Sequence, residues 1–152
     1  MDSDGVLTDG RIIFGSDGTD YRCFHTHDGF GLVRALRLGL HVAVISGSTS
    51  ATLARRMKPI GVKDVIQGKM DKVSAYRKLR KKYRLADSEV AFIGDDEFDM
   101  PLLEIVGFSA APADAIAKVR RSVDYVTAAG GGKGAVRELL DLVLHAQGKL
   151  DP

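Results

Sequence analysis

From residue 40 onward, short apolar runs alternate with helix-patterned segments, and this rhythm restricts the fold more than any other feature of the chain. Leu40-His41-Val42-Ala43-Val44-Ile45 reads as a largely buried strand, and further strands are predicted at 64–66, 90–93, 108–110 and 125–126. Between them the spacing predicts helices over 50–60 (closed by Gly61), 71–83, 100–106, 114–120 and 135–147. An earlier helix, capped by Asp28, carries Phe30, Val33 and Leu36 on one face and stops at Gly39. Strands that alternate with helices in this way form a mostly parallel sheet covered on both faces, a three-layer α/β sandwich. Ahead of this pattern, Arg11-Ile12-Ile13-Phe14 and Asp20-Tyr21-Arg22-Cys23-Phe24 flank Gly15-Ser16-Asp17-Gly18, so a β-hairpin is expected over about 11–24.

A chain of 152 residues buries most of its apolar surface in one core, and a single domain over 1–152 is the expectation. A net charge of +2 with 28% charged residues is too balanced for a nucleic-acid platform or an acidic disordered tail. The basic run of Arg77, Lys78, Arg80, Lys81, Lys82 and Arg84 falls in a helical segment and reads as a solvated face. The one cysteine, Cys23, has no internal disulfide partner, which fits a reducing compartment. No stretch reaches the roughly 18 apolar residues of a membrane-spanning helix, and no basic-then-apolar leader opens the chain. A cytoplasmic protein without nucleic-acid or membrane partners is expected.

In such sheets ligands bind beyond the carboxyl ends of the strands. That rule gathers Asp2 and Asp4, Ser46 and Gly47, Lys72, and the Gly94-Asp95-Asp96…Asp99 segment. Many oxygen ligands without a His/Cys cluster favour a hard cation such as Mg²⁺, and a carboxylate can itself serve as nucleophile in phosphoryl transfer. Each piece alone also has a bland reading. Asp-x-Asp makes turns and caps, Ser46-Gly47 begins a loop, Lys72 is a surface lysine, and Asp95 and Asp96 form a turn and N-cap, with Asp99 favouring the helix dipole. Their order and spacing together favour the chemical reading.

That order resembles the four motifs of the haloacid dehalogenase superfamily of phosphatases. The residues are Asp2-Ser3-Asp4-Gly5-Val6-Leu7-Thr8-Asp9-Gly10, Ile45-Ser46-Gly47, Gln67-Gly68 with Asp71-Lys72, and Ile93-Gly94-Asp95-Asp96 with Asp99. The hairpin, Phe24 through Gly31, and Gly131-Gly132-Lys133-Gly134-Ala135-Val136-Arg137-Glu138 resemble the capless branch typified by 3-deoxy-D-manno-octulosonate 8-phosphate phosphatase, which also includes enzymes acting on nine-carbon sugar acid phosphates. The resemblance implies an HAD-like, Rossmann-like fold and a Mg²⁺-dependent phosphomonoesterase of cell-surface (lipopolysaccharide) synthesis. It makes Asp2 the nucleophile and Asp4 the general acid and base. Ser46 and Lys72 hold phosphoryl oxygens, and Gly47 supplies a backbone amide. Mg²⁺ is held by the Asp2 carboxylate, the Asp4 carbonyl and Asp95, with Asp96 and Asp99 in support. It also implies a homotetramer in which hairpins assemble and each subunit covers its neighbour's site.

Two departures from the family pattern stand out. Only Met1 precedes Asp2, where the family has a buried apolar strand. The expectation is either an upstream segment that this chain lacks, which we favour, or a gap in the sheet with a weakly anchored Asp2. Ser48 stands where octulosonate phosphatases often have Arg, and Ser cannot replace a bidentate charge. His25, His27 and Lys133 are candidates for compensating contacts, or equally surface and supporting residues. Rival functions are the phosphatase-like module of a sugar-activating enzyme and a non-catalytic tetrameric scaffold.

Overall fold

The computed structural model describes residues 1–150. Its elements run β1 (Ile13–Phe14), β2 (Asp20–Tyr21), α1 (Thr26–Arg37), β3 (Ala43–Ile45), α2 (Ala51–Ile60), β4 (Asp64–Ile66), α3 (Lys72–Tyr83), β5 (Ala91–Ile93), α4 (Met100–Leu103), β6 (Phe108–Ala111), α5 (Ala117–Arg120), β7 (Tyr125–Val126) and α6 (Ala135–Ala146). The strand–helix alternation is therefore as the sequence predicts, with most strands and the helices α4 and α5 shorter than expected. Among the described residues no helix is long and apolar enough to cross a membrane.

β3 pairs in parallel with β4, and β5 with β6 and β6 with β7. The two groups are joined through Met1 and Asp2. The Met1 ammonium donates to the Ala43 carbonyl (3.1 Å), its carbonyl accepts from Ile45 N–H (3.0 Å), and Asp2 N–H donates to the Ile93 carbonyl (3.0 Å). An apolar cleft of about 550 Å³ lies beside this bridge, lined by Leu40, Val42, Ala91, Phe108, Leu140 and Val143. Asp2 is nonetheless fixed, because it follows directly on the bridging residue. Chain order also reverses here, since β4 lies on one side of the bridge and the next strand, β5, on the other. Such switch points open a crevice at the carboxyl ends of the strands.

Alternate strand residues feed two cores, as a period of two requires. Val44, Ile93 and Ala110 join Leu32, Leu53, Met57, Val136 and Leu144 beneath α1, α2 and α6. Ile45, Phe92 and Ala111 join Tyr76, Leu102, Leu103 and Val119 beneath α3, α4 and α5. Burying one such aliphatic side chain contributes about 1.5–3 kcal/mol, so the sheet is clamped from both sides.

Helix termini show why the elements stop where they do. Ser50 accepts from Thr52 N–H at the start of α2, and Gly61, with φ +95°, ends it. Asp71 caps α3 by accepting from Ser74 N–H. The expectation for α1 needs correction: His25, not Asp28, is its N-cap residue, and Asp28 lies within the first turn. Its buried carboxylate instead accepts from Gly134 N–H (3.2 Å) and Arg137 N–H (2.7 Å), capping α6 from outside. The buried face of α1 is Asp28, Gly29, Gly31, Leu32 and Ala35, with Leu36 packed against the same core as expected, whereas Phe30 is exposed and Val33 only half-buried. α6 packs so closely that a Cβ on Gly31 would lie 2.9 Å from the Arg137 side chain.

The segment after Asp2 is a tight turn in which Val6, Leu7 and Thr8 N–H all donate to the Ser3 carbonyl, driving Val6 and Leu7 into the core. The glycine loop before α6 lies flush on this turn: Gly132 N–H donates to the Val6 carbonyl (3.0 Å). A Cβ on Gly131 would fall 1.9 Å from the Gly5 carbonyl oxygen. Gly131→Ala is therefore expected to cost about 1–3 kcal/mol of stability through overpacking, read as a lower midpoint in urea denaturation.

Candidate active site

Every strand end around the bridge delivers a polar side chain. Asp2 follows the bridge, Ser46 follows β3, and Asp95 follows β5 by way of Gly94. Lys72 is the first residue of α3, held there by the Asp71 cap. Its ammonium lies 2.8 Å from Asp2 Oδ1 and 2.6 Å from Asp99 Oδ1, and all three side chains are almost wholly buried. Asp99 ends a single 3₁₀ turn, Glu97–Asp99, and its Oδ2 accepts from Asp95 N–H (3.0 Å) and Asp96 N–H (3.4 Å). Asp99 thus orients both the lysine and the Asp95 backbone. Asp96 caps the same turn, accepting from Glu97 N–H (2.6 Å), and acts on Asp95 through its charge.

Oxygens of Asp2, Asp95 and Asp99 all lie within 4.8 Å of one another. Lys72 neutralises part of this charge, and Asp95 Oδ1 is buried with no hydrogen-bond partner. Burial, then the charges of Asp2, Asp99 and Asp96, push the Asp95 carboxyl up to about 8. Burial and Asp99 raise Asp2 to about 6 against the opposing pull of Lys72. An orphaned buried oxygen amid surplus negative charge, with oxygen donors alone, fits a hard divalent cation. Gly5, with φ +85°, makes room: a Cβ there would lie 2.1 Å from Asp95 Oδ2.

Ser46 Oγ accepts from Ser48 N–H (3.2 Å) and lies 3.2 Å from Ser48 Oγ, at the mouth of the crevice. Gly47 packs under Met70, whose sulfur would stand 2.7 Å from an added Cβ. Asp4 points to a different set of partners. Ser48 Oγ donates to its Oδ2 (2.6 Å), and Arg22 Nε donates to its Oδ1 (2.7 Å). Arg22 is the residue that sequence reasoning passed over. The available signal was the strand period: Tyr21 and Cys23 face solvent, so Arg22 faces inward. His25 and His27 meet edge to face at 4.8 Å beside Asp28, and Lys133 pairs with Asp114 at 3.8 Å.

Residues 55–139 match the family profile of haloacid dehalogenase-like hydrolases. The 3-deoxy-D-manno-octulosonate 8-phosphate phosphatase of Escherichia coli K12 is 42% identical over 151 residues, spanning 99% of this chain and 80% of that protein. The chain belongs to the haloacid dehalogenase-like hydrolases. Among solved structures, the octulosonate 8-phosphate phosphatase of Yersinia pestis superposes with a TM-score of 0.97 at 40% identity, over 98% of this chain and 80% of that one. The enzyme of Moraxella catarrhalis, in complex with magnesium, phosphate and KDO, superposes with a TM-score of 0.95 at 40% identity, over 97% and 85% of the two chains. The HAD-like α/β fold expected from the sequence is the fold observed.

The raised carboxyls set a pH dependence. In the unfolded chain both aspartates titrate near about 3.9, so the fold favours their protonated forms. That contribution to stability is complete below the unfolded value and is lost as pH rises through about 6 for Asp2 and about 8 for Asp95. A divalent cation reverses the balance. The rise in melting temperature on adding Mg²⁺ should be larger at pH 8.5 than at pH 5.5; an equal rise would show that the ion binds elsewhere.

Proposed function

We propose that the protein is a Mg²⁺-dependent phosphomonoesterase acting on a phosphorylated sugar acid, with 3-deoxy-D-manno-octulosonate 8-phosphate the leading substrate. The observation that carries this reading is the buried cluster of Asp2, Asp95, Asp99 and Lys72 at the sheet's switch point, in a chain 42% identical to phosphatases of that ester.

In this reading Asp2 attacks phosphorus and the ester P–O bond breaks, leaving an aspartyl-phosphate and the sugar alcohol. Asp4 gives its proton to the departing oxygen, then takes one from the water that attacks the phosphoaspartate. Ser46 Oγ, the Gly47 N–H and the Lys72 ammonium steady the phosphoryl oxygens as charge spreads over them. Lys72 already touches the attacking carboxylate, 2.8 Å from Asp2 Oδ1, so a phosphoryl group on Asp2 arrives beside a fixed positive charge. Asp2, the Asp4 carbonyl and Asp95 would hold Mg²⁺, with Asp96 and Asp99 behind them, and the ion would supply charge neutralisation for the phosphate. Asp99 holds both the Lys72 ammonium and the Asp95 backbone N–H.

The whole chain, 1–152, is read as one catalytic domain with the 11–24 ribbon as an appendage. Ile13 and Phe14 on that ribbon are 58% and 76% exposed, and Tyr21 is also exposed. An unpartnered two-stranded ribbon with an apolar face favours assembly of subunits through it, and a homotetramer is the form we infer. A cytoplasmic location fits the single cysteine, and octulosonate chemistry fits a role in making cell-surface polysaccharide.

Two measurements test these readings. Phosphate release from a panel of eight- and nine-carbon sugar acid phosphates should require Mg²⁺ and be suppressed by EDTA. Asp2→Asn should lower kcat by on the order of 10⁴ or more with an unchanged circular dichroism spectrum; retained turnover would refute the nucleophile. Separately, Ile13→Ser with Phe14→Ser should reduce the mass found by light scattering from that of four chains; an unaltered mass would refute assembly through the ribbon.

A further inference from the structure

The ribbon exposes most of its residues yet sends one charged side chain inward. Arg22, directly after β2, is 4% exposed at its side chain. Its guanidinium touches three segments at once. Nε donates to Asp4 Oδ1 (2.7 Å) and Nη2 to Asp4 Oδ2 (3.4 Å), Nη1 donates to Ser50 Oγ (2.9 Å), and the group also pairs with Asp20. Ser50 is the N-cap of α2, and its Oγ donates to Asp20 Oδ2 (3.0 Å), while Thr52 Oγ1 donates to the Asp20 carbonyl (3.3 Å). The base of the ribbon is therefore seated on the start of α2, and the guanidinium links that seat to Asp4.

Seating the ribbon needs only Asp20 and Ser50. The two additional bonds to Asp4 do something else. A planar guanidinium that grips a carboxylate through two N–H groups fixes the carboxylate's plane as well as its charge. With Ser48 Oγ on Oδ2, both oxygens of Asp4 are held from outside the turn that carries it. Proton transfer depends on how such a carboxyl is oriented, because a donor must lie within hydrogen-bond reach of the atom it serves.

Resting on the reading of Asp4 as acid and base, we propose that Arg22 is a positioning residue for Asp4, and that through it proton transfer depends on how the ribbon is seated on α2. The hydrogen bonds and ion pairs of Arg22 go to Asp4, Asp20 and Ser50 and not to Asp2, so it acts on the reaction through Asp4. It sets the direction in which the Asp4 carboxyl faces, and it does so from a segment whose two-residue strands depend on outside contacts for rigidity.

The test exploits the leaving group. A sugar alkoxide departs only with a proton, whereas nitrophenolate departs without one, so loss of a correctly aimed acid penalises an alkyl phosphate more than p-nitrophenyl phosphate. kcat/KM for both esters is measured with the wild type, Asp4→Asn, Arg22→Met, Arg22→Lys and Asp20→Asn. Arg22→Met should lose on the order of 10²-fold on the sugar acid phosphate and at least tenfold less on p-nitrophenyl phosphate, the pattern expected of Asp4→Asn. Arg22→Lys should recover part of the difference, since one ammonium restores charge but not the fork. Asp20→Asn, which leaves Arg22 in place but loosens its seat, should show a smaller loss with the same ester selectivity. Should Arg22→Met fail to fold, the last two variants carry the test. Equal losses on both esters, or Arg22→Lys and Asp20→Asn indistinguishable from wild type on both, would overturn the proposal. A wild type inactive on every ester would overturn the phosphatase reading and this one with it.

Discussion

The ion triad of Lys72 between Asp2 and Asp99 is the contact on which the rest of the site depends. An ammonium buried alone would shed its proton or drag in water, and two buried carboxylates with oxygens within 4.8 Å of each other would repel. Placed together, with Asp99 also accepting two backbone N–H bonds, each satisfies the others. The triad spans three separate pieces of chain: the bridge between the half-sheets, the start of α3, and the turn after β5. Closing it locks the crevice, so the sheet's narrowest point is also its most firmly crosslinked one. The arrangement still leaves the cluster short of positive charge. Asp95, raised by burial and its acidic neighbours, is where that shortage is felt, and its free oxygen is where a cation relieves it.

Close backbone approach is the second constraint. Gly5 lets Asp95 fold against the turn that carries Asp4, and Gly131 and Gly132 let the loop before α6 lie on that same turn. Neither contact tolerates a Cβ, so the acidic turn is held by the Asp95 side chain at Gly5 and by the glycine-loop backbone at Gly131 and Gly132. This explains why so polar a segment holds still: Val6 and Leu7 anchor it inward while glycine contacts cover it. Asp28 adds to the same lock at a distance, fixing the end of the glycine loop by capping α6.

The sequence made the layered α/β alternation legible because buried strands and amphipathic helices have different periods, and its boundaries at Ser50, Gly61 and Asp71 followed from capping chemistry. The face of α1 was misjudged for a physical reason. Counting large apolar residues selects Phe30, but the close approaches are made at two glycines: Gly31 admits Arg137 of α6 and Gly29 admits Arg56 of α2. Phe30 instead lies outside, with the guanidinium groups of Arg34 and Arg137 over its ring. Asp28 was read as a local cap because short-range capping is visible in sequence, while a cap donated across more than a hundred residues is not. In the candidate site, the convergence of Asp2, Lys72 and Asp95 was legible from strand-end topology. The partners of Asp4 did not, since they depend on how a hairpin is seated.

That seating bears on the departure at Ser48. A guanidinium at that position would have stood on the rigid loop after β3; here Ser48 offers only a hydroxyl, and it spends it on Asp4. The guanidinium near Asp4 comes instead from the ribbon, through Arg22. A short loop after a buried strand and a projecting two-stranded ribbon differ greatly in stiffness, because the first is backed by both cores and the second by three polar contacts to α2. Because Arg22 stands on the ribbon, the acid group's orientation responds to whatever the ribbon packs against. With Phe14 and Ile13 facing outward on that ribbon, the apolar surface most in need of a partner and the carboxylate most in need of a fixed direction are connected by one side chain.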